Sequence, residues 1–156
     1  MKIGMGFDAH AFDDARKLVL GGVTISDSPG LAGHSDADVV SHALADALLG
    51  AAGLGDLGKN FPPTAKWKDA SSLDILRRCA DDLATAGWSI VNADVTVVAE
   101  RPRLAAVTAE MSKNLADALG VTVDSVSVKA TTTDGMGFTG RGEGIAALAV
   151  ALIEPR

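Results

Sequence analysis

The order of apolar runs along the chain predicts an α+β fold: one domain over residues 1–156, with a mixed β-sheet and its helices packed on one face. Three observations carry this. Short runs rich in Val, Ile and Leu recur at 2–8, 17–20, 23–25, 88–100, 126–130 and 145–153, the signature of strands. Stretches at 36–52, 71–85 and 103–118 instead repeat apolar residues three and four apart, the helical period. The strand–helix–strand order over 88–130 calls for a crossover unit, whereas Gly21-Gly22 between two short runs fits a hairpin turn.

Taken in order, residues 2–8 read as a buried strand. Asp8 and His10 stand two apart, so in extended chain they point the same way. Residues 11–16 read as a polar loop, 17–25 as the hairpin, and SDSPG at 26–30 as a further turn. The helix expected at 36–52 is the centre of the chain. Ser35 suits its N-cap and Asp38 follows three residues later, as in a capping box. Val39, Val40, Ala43, Leu44, Ala47, Leu48 and Ala51 form its apolar stripe, and Asp38, His42 and Asp46 stack along another side. The glycines and prolines between Gly53 and Pro63 break regular structure. Ser71 or Ser72 suits the cap of the next helix, which turns Leu73, Ile75, Leu76, Cys79, Ala80 and Leu83 inward and stops at Gly87. Pro102 fits the first turn of the third helix, which ends at Gly120. Residues 131–144 read as a Gly/Thr-rich loop before the last strand.

Hydrophobic residues make up 47% and charged residues 22% of 156, enough for a sizeable core and too apolar for disorder. The net charge of −6 argues against a nucleic-acid or anionic-membrane partner, but leaves room for a small phosphorylated ligand held by a few local groups. The one cysteine, Cys79, reads as a buried thiol. No apolar run reaches the length of a membrane span, and the first eight residues already carry site chemistry, so no leader peptide is expected. These features describe a bacterial cytoplasmic enzyme domain.

The candidate chemistry starts with histidine. All three, His10, His34 and His42, lie within 33 residues and beside aspartates. Asp8, His10 and His42 suit Zn²⁺, and three protein ligands leave a position open for substrate. Asp46, one turn beyond His42, is expected to orient that imidazole, a reading weighed against an ordinary surface carboxylate. His34 and Ser35, at the start of the helix, suit a phosphate oxygen or developing charge. Thr131, Thr132 and Thr133 with Asp134 suit phosphate and Mg²⁺, although no Walker-type motif is present. Arg141 suits phosphate, or a surface ion pair with Glu143. Asp56 sits on a flexible loop that suits hydroxyl groups or simply a turn. From these residues alone, a metal-dependent phosphoryl-transfer enzyme, a phosphohydrolase and a catalytically silent nucleotide- or metal-binding module all stay open.

Five stretches narrow the choice: GFDAH at 6–10, GHSDADVVSHALADALLGA at 33–51, GDLGKNFP at 55–62, DVTVVAERPRL at 94–104 and VKATTTDGMGFTGRGEGIAA at 128–147. Together, in this order and spacing, the sequence resembles the 2-C-methyl-D-erythritol 2,4-cyclodiphosphate synthase family of the non-mevalonate isoprenoid (terpenoid) pathway. The resemblance implies a ferredoxin-like domain that assembles as a homotrimer with active sites between subunits. It implies conversion of 4-diphosphocytidyl-2-C-methyl-D-erythritol 2-phosphate to the cyclic diphosphate by attack of the 2-phosphate on the β-phosphate, a lyase reaction that releases CMP.

It also implies roles for residues. Asp8, His10 and His42 hold Zn²⁺ (or Mn²⁺ or Co²⁺), and Asp134 stands where the family has a glutamate for a Mg²⁺ or Mn²⁺ on the substrate diphosphate. His34 and Thr132 stabilise the transition state, and Ser35 holds a phosphate. Asp56, Leu57, Gly58 and Phe61 approach the polyol. Ala99, Arg103, Leu104, Ala105 and Ala130 to Thr133 form the cytidine pocket. Phe138 and Arg141 lie near the substrate and the subunit centre, where the resemblance implies a cavity for an isoprenoid diphosphate. Arg103-Leu104 replaces a common Lys-Met, and Pro63 replaces a common aspartate, so one polyol contact is lost or replaced. On this length, no fused cytidylyltransferase is expected.

Overall fold

The computed structural model of the chain describes residues 1–156. Strand β1 (Lys2–Leu20) turns at Gly21-Gly22 into β2 (Val23–Leu31), followed by helix α1 (Val39–Ala52) and a four-residue helix α2 (Leu57–Asn60). Helix α3 (Ser72–Thr85), strand β3 (Trp88–Val98), helix α4 (Thr108–Leu119) and strand β4 (Val126–Thr131) come next, then a short α5 (Gly137–Gly140) and strand β5 (Gly144–Pro155). The strands form one mixed sheet in the order β2-β1-β5-β3-β4. Only β3 and β4, joined through α4 as the crossover expectation required, run parallel. No helix is long and apolar enough to cross a membrane.

Helices α1, α3 and α4 lie on one face, and 35 buried residues form the core beneath them. Helix α1 sits unusually close to the sheet because β1 offers it glycines. A Cβ on Gly4 would lie 2.0 Å from the Ala47 carbonyl oxygen, and one on Gly6 2.0 Å from that of Ala43. With Gly on the strand and Ala on the helix, the two backbones meet, and His42 is carried down to Asp8 at the end of the same contact. The opposite face of the sheet presents Ile3 and Met5, each 71% exposed, Phe7 and Val150.

The elements differ from expectation in a few places. Helix α1 begins at Val39, not at 36, because Ala37 has φ 58° and Asp38 takes the cap. The Asp38 carboxylate accepts from Val40 N and Ser41 N, and also from Gly21 N and Gly22 N, so this buried group ties the β1–β2 turn to the helix. Burial raises its carboxyl pKa, as does the charge of Asp36. Residues 11–16 and 26–30 are strand, not loop and turn: Phe12 pairs with Leu31 and Asp13 with Gly30, with irregular register up to Lys17. The third helix starts at Thr108, not 103, since Leu104 is buried as an anchor and its carbonyl closes a turn on Val107. Asp56 caps α2 through Lys59 N at 2.7 Å, which gives 57–60 the helical turn that its glycines disguised.

Candidate metal centre

Strand β1 and helix α1 bring Asp8, His10 and His42 to one point. Asp8 Oδ2 lies 2.8 Å from His10 Nε2 and 3.0 Å from His42 Nδ1, and the two ring nitrogens are 3.3 Å apart. The remaining nitrogens face a carbonyl and two hydroxyls. His10 Nδ1 lies 2.5 Å from the Ala32 carbonyl, which can only accept, so that nitrogen carries a proton and, in the neutral ring, Nε2 keeps its lone pair. His42 Nε2 faces Ser72 Oγ at 2.9 Å and Ser35 Oγ at 3.1 Å. Two imidazole nitrogens and a carboxylate thus converge, the donor set that suits a zinc-like cation with an open position.

The electrostatics of the metal-free cluster follow from the same distances. Burial pushes the Asp8 carboxyl up, but the hydrogen bonds and charges of His10 and His42 outweigh it and hold that carboxyl well below the usual range. Burial pushes His10 down, yet the hydrogen bond and charge of Asp8 outweigh it and raise that imidazole. A raised histidine contributes stability that is full below its unfolded pKa, about 6.5, and lost as pH rises through the folded value. The Asp8 contribution is present above about 3.9 and lost as pH falls through its depressed value. In chelator-treated protein, His10 is therefore expected to titrate above about 6.5, and lower than in that protein in Asp8→Asn, where burial and the charge of Arg16 are opposed only by the hydrogen bond to Ala32. NMR titration of the ring protons checks this, and a low value in the unaltered protein would contradict the pairing.

A cavity of about 220 Å³ opens on the cluster, walled by His34, Ser35, Leu57, Phe61, Trp67 and Ile75 as well as the three ligating residues and Pro63. Ile75, expected only as a core residue, also lines the cavity, and Trp67 carried no signal in the sequence. Trp67 packs edge-on against Phe61 at 4.8 Å between ring centres, an aromatic pairing that spacing alone did not reveal. His34 is exposed, and its Nε2 meets the Thr64 carbonyl at 2.8 Å. Ser35 accepts from Ala37 N and faces His42. Asp46 does not meet His42: its carboxylate accepts from Leu57 N at 2.7 Å, so it positions α2 instead. Asp56 and Gly58 are exposed beside it.

The other candidates stand elsewhere. Across the sheet, Asp8 pairs with Ala147, Ala147 with Val97, and Val97 with Ala130. Three strand spacings of about 4.8 Å put the threonine segment roughly 14 Å from the metal cluster along the sheet. There Thr132 Oγ donates to Asp134 Oδ1 at 3.2 Å, on a left-handed backbone (φ 51°). Thr131, Thr132, Ala105 and Arg103 are exposed at this edge, while Ala99 and Leu104 are buried and offer backbone only. Arg141 donates to Glu143 at 2.7 Å, and Phe138 is 39% exposed nearby.

The model of the YgbB family matches residues 1–154. The chain is similar to the 2-C-methyl-D-erythritol 2,4-cyclodiphosphate synthase of Moorella thermoacetica, 58% identical over all of this chain and 96% of that protein. It superposes on the bifunctional IspDF of Campylobacter jejuni with TM-score 0.95 at 42% identity, over 99% of this chain and 42% of that larger one. It also superposes on a CDP complex of IspF from Plasmodium falciparum, TM-score 0.86 at 30% identity, over 99% and 96% of the two chains.

Proposed function

The chain belongs to the YgbB family, and from that premise we propose that it is a cyclodiphosphate synthase acting on 4-diphosphocytidyl-2-C-methyl-D-erythritol 2-phosphate. An oxygen of the 2-phosphate attacks the β-phosphorus. The bond from that phosphorus to the oxygen bridging it to the α-phosphate breaks, and CMP leaves with the electron pair. No water enters. Such a reaction asks the protein for positioning and charge neutralisation more than for covalent chemistry. The observation that carries the reading is the convergence of Asp8, His10 and His42 on the cavity floor.

Asp8, His10 and His42 would hold Zn²⁺, Mn²⁺ or Co²⁺, and such a cation supplies Lewis-acid neutralisation of phosphate charge. The chain's own groups do the rest. His34 and Ser35, at the cavity wall, bind phosphate oxygens, and His34 offers a proton donor to charge developing at the β-phosphate. Leu57, Phe61, Pro63 and Trp67 cover the carbon face of the polyol and exclude water, while Asp56 and Gly58 meet its hydroxyls. Pro63 contributes surface in place of a carboxylate. Thr132 meets the diphosphate, and Asp134, whose oxygen already accepts from Thr132, would hold a Mg²⁺ or Mn²⁺ that neutralises its charge. Arg103, Ala105 and Ala130 to Thr133, with the backbone of Ala99 and Leu104, hold the cytidine.

These two groups of residues lie too far apart in one chain to share a substrate end. That separation, and the bare apolar face carrying Ile3, Met5 and Phe7, support a homotrimer in which each site is built from two neighbouring subunits. Within it, Phe138 and Arg141 would line a central cavity able to take an isoprenoid diphosphate. The β3–α4–β4 unit supports a ferredoxin-like domain, and the charged substrate places the enzyme in the bacterial cytoplasm as a lyase of isoprenoid biosynthesis.

Chromatography of the products tests the reaction. Zinc-loaded protein with Mg²⁺ is expected to give one CMP per cyclic diphosphate, and chelator-treated protein neither. CMP accompanied by a linear phosphate would instead identify a phosphohydrolase, and substrate returned intact would identify a binding module.

A further inference from the structure

We propose that Ser72, oriented by Asp36, is a positioning residue that fixes which nitrogen of His42 carries the proton and so presents the other to a divalent cation. The inference rests on the metal reading of the Asp8, His10 and His42 cluster. Ser72 is fully buried at the first turn of α3, and its hydroxyl lies 2.9 Å from His42 Nε2. Its backbone N–H donates to Asp36 Oδ2 at 2.9 Å, and its hydroxyl also contacts Asp36 Oδ1. A carboxylate accepts and never donates, so the Ser72 hydrogen is committed to Asp36. The Ser72 oxygen can then only accept from His42, which requires the proton on Nε2. Nδ1, on the Asp8 and His10 side, keeps its lone pair for a cation.

Ser35 also reaches Nε2, at 3.1 Å, but nothing comparable directs its hydroxyl hydrogen. Besides His42, it meets Ala37 N–H, which donates to it. Of the two hydroxyls on His42, then, only that of Ser72 has its direction set, and Ser35 stays free to turn toward a bound phosphate. Asp36 is itself held in place, donating its N–H to the Ala70 carbonyl and accepting from Asp38 N at 3.1 Å.

The test is zinc affinity, measured by competition with a chromophoric chelator, together with NMR of the His42 ring in the zinc-loaded protein. The unaltered protein should bind one zinc through His42 Nδ1, with a hydrogen-bonded Nε2–H proton that exchanges slowly. Ser72→Ala should weaken zinc roughly tenfold to a hundredfold and speed that exchange, with turnover returning at saturating zinc. Asp36→Asn should weaken zinc further. Its amide can donate to the Ser72 oxygen and turn the hydroxyl hydrogen onto Nε2, which favours the wrong tautomer. Folded variants with unaltered zinc affinity and exchange would overturn the role of Ser72 while leaving the metal site standing. Zinc bound through Nε2 in the unaltered protein would overturn it even if both variants failed to fold. No stoichiometric zinc in the unaltered protein would overturn the metal reading and the relay together.

Discussion

His42→Ala is expected to abolish stoichiometric cation binding and to lower turnover by about a thousandfold or more, with the chain still folded. His42 supplies one of only three ligands, and the two that remain sit on one strand with no partner from α1. Several kcal/mol of transition-state charge stabilisation is lost with the cation, which is what sets the size of the effect. The fold survives because alanine is the best helix former and α1 is anchored elsewhere, by the Asp38 cap and by Leu44, Leu48 and Leu49 in the core. Elemental analysis after dialysis, with circular dichroism on the same sample, checks both halves. A stoichiometric metal and near-normal rate in His42→Ala would show that the cluster is not the metal site.

The second large effect concerns assembly. His42→Ala and Thr132→Ala should each be silent as pure proteins, yet together they should recover activity when co-expressed and purified by two different tags. In a trimer whose sites each take the metal half from one subunit and the threonine half from the next, random mixing leaves about one quarter of the sites with both halves intact. The reasoning is the sheet register: Asp8 and Ala130 stand at the same level but three strands apart, a gap that the proposed shared site would bridge with a second subunit. A mixed assembly as silent as its parents would place both halves in one subunit and contradict the shared site.

Much of this was legible in the sequence, for identifiable reasons. The Asp8, His10 and His42 grouping was readable because two of its members are local, alternating on a strand, and the third sits on a helix whose apolar stripe fixes its inner face. The β3–α4–β4 crossover was readable from period alone. The boundaries that failed did so where tertiary contacts outweighed local pattern. Asp38 looked like the partner of a Ser35 cap, but it is the cap, because the Gly21-Gly22 turn supplies two further N–H donors that no local rule anticipates. Residues 11–16 looked polar and loop-like, but pairing with β2 keeps them extended. Asp46 had the right spacing to support His42, yet Leu57 N–H claims it, and Ser72, 30 residues away, takes its place. Spacing reveals neighbours on one helix and is silent about hydroxyls delivered from another.

The measurement that bears most directly on the central claim is a single turnover in ¹⁸O-labelled water, followed by phosphorus NMR. Attack by the 2-phosphate predicts a cyclic diphosphate and CMP, neither showing an isotope shift. An ¹⁸O-shifted linear phosphate would mean that water is the nucleophile, and would contradict a cyclase.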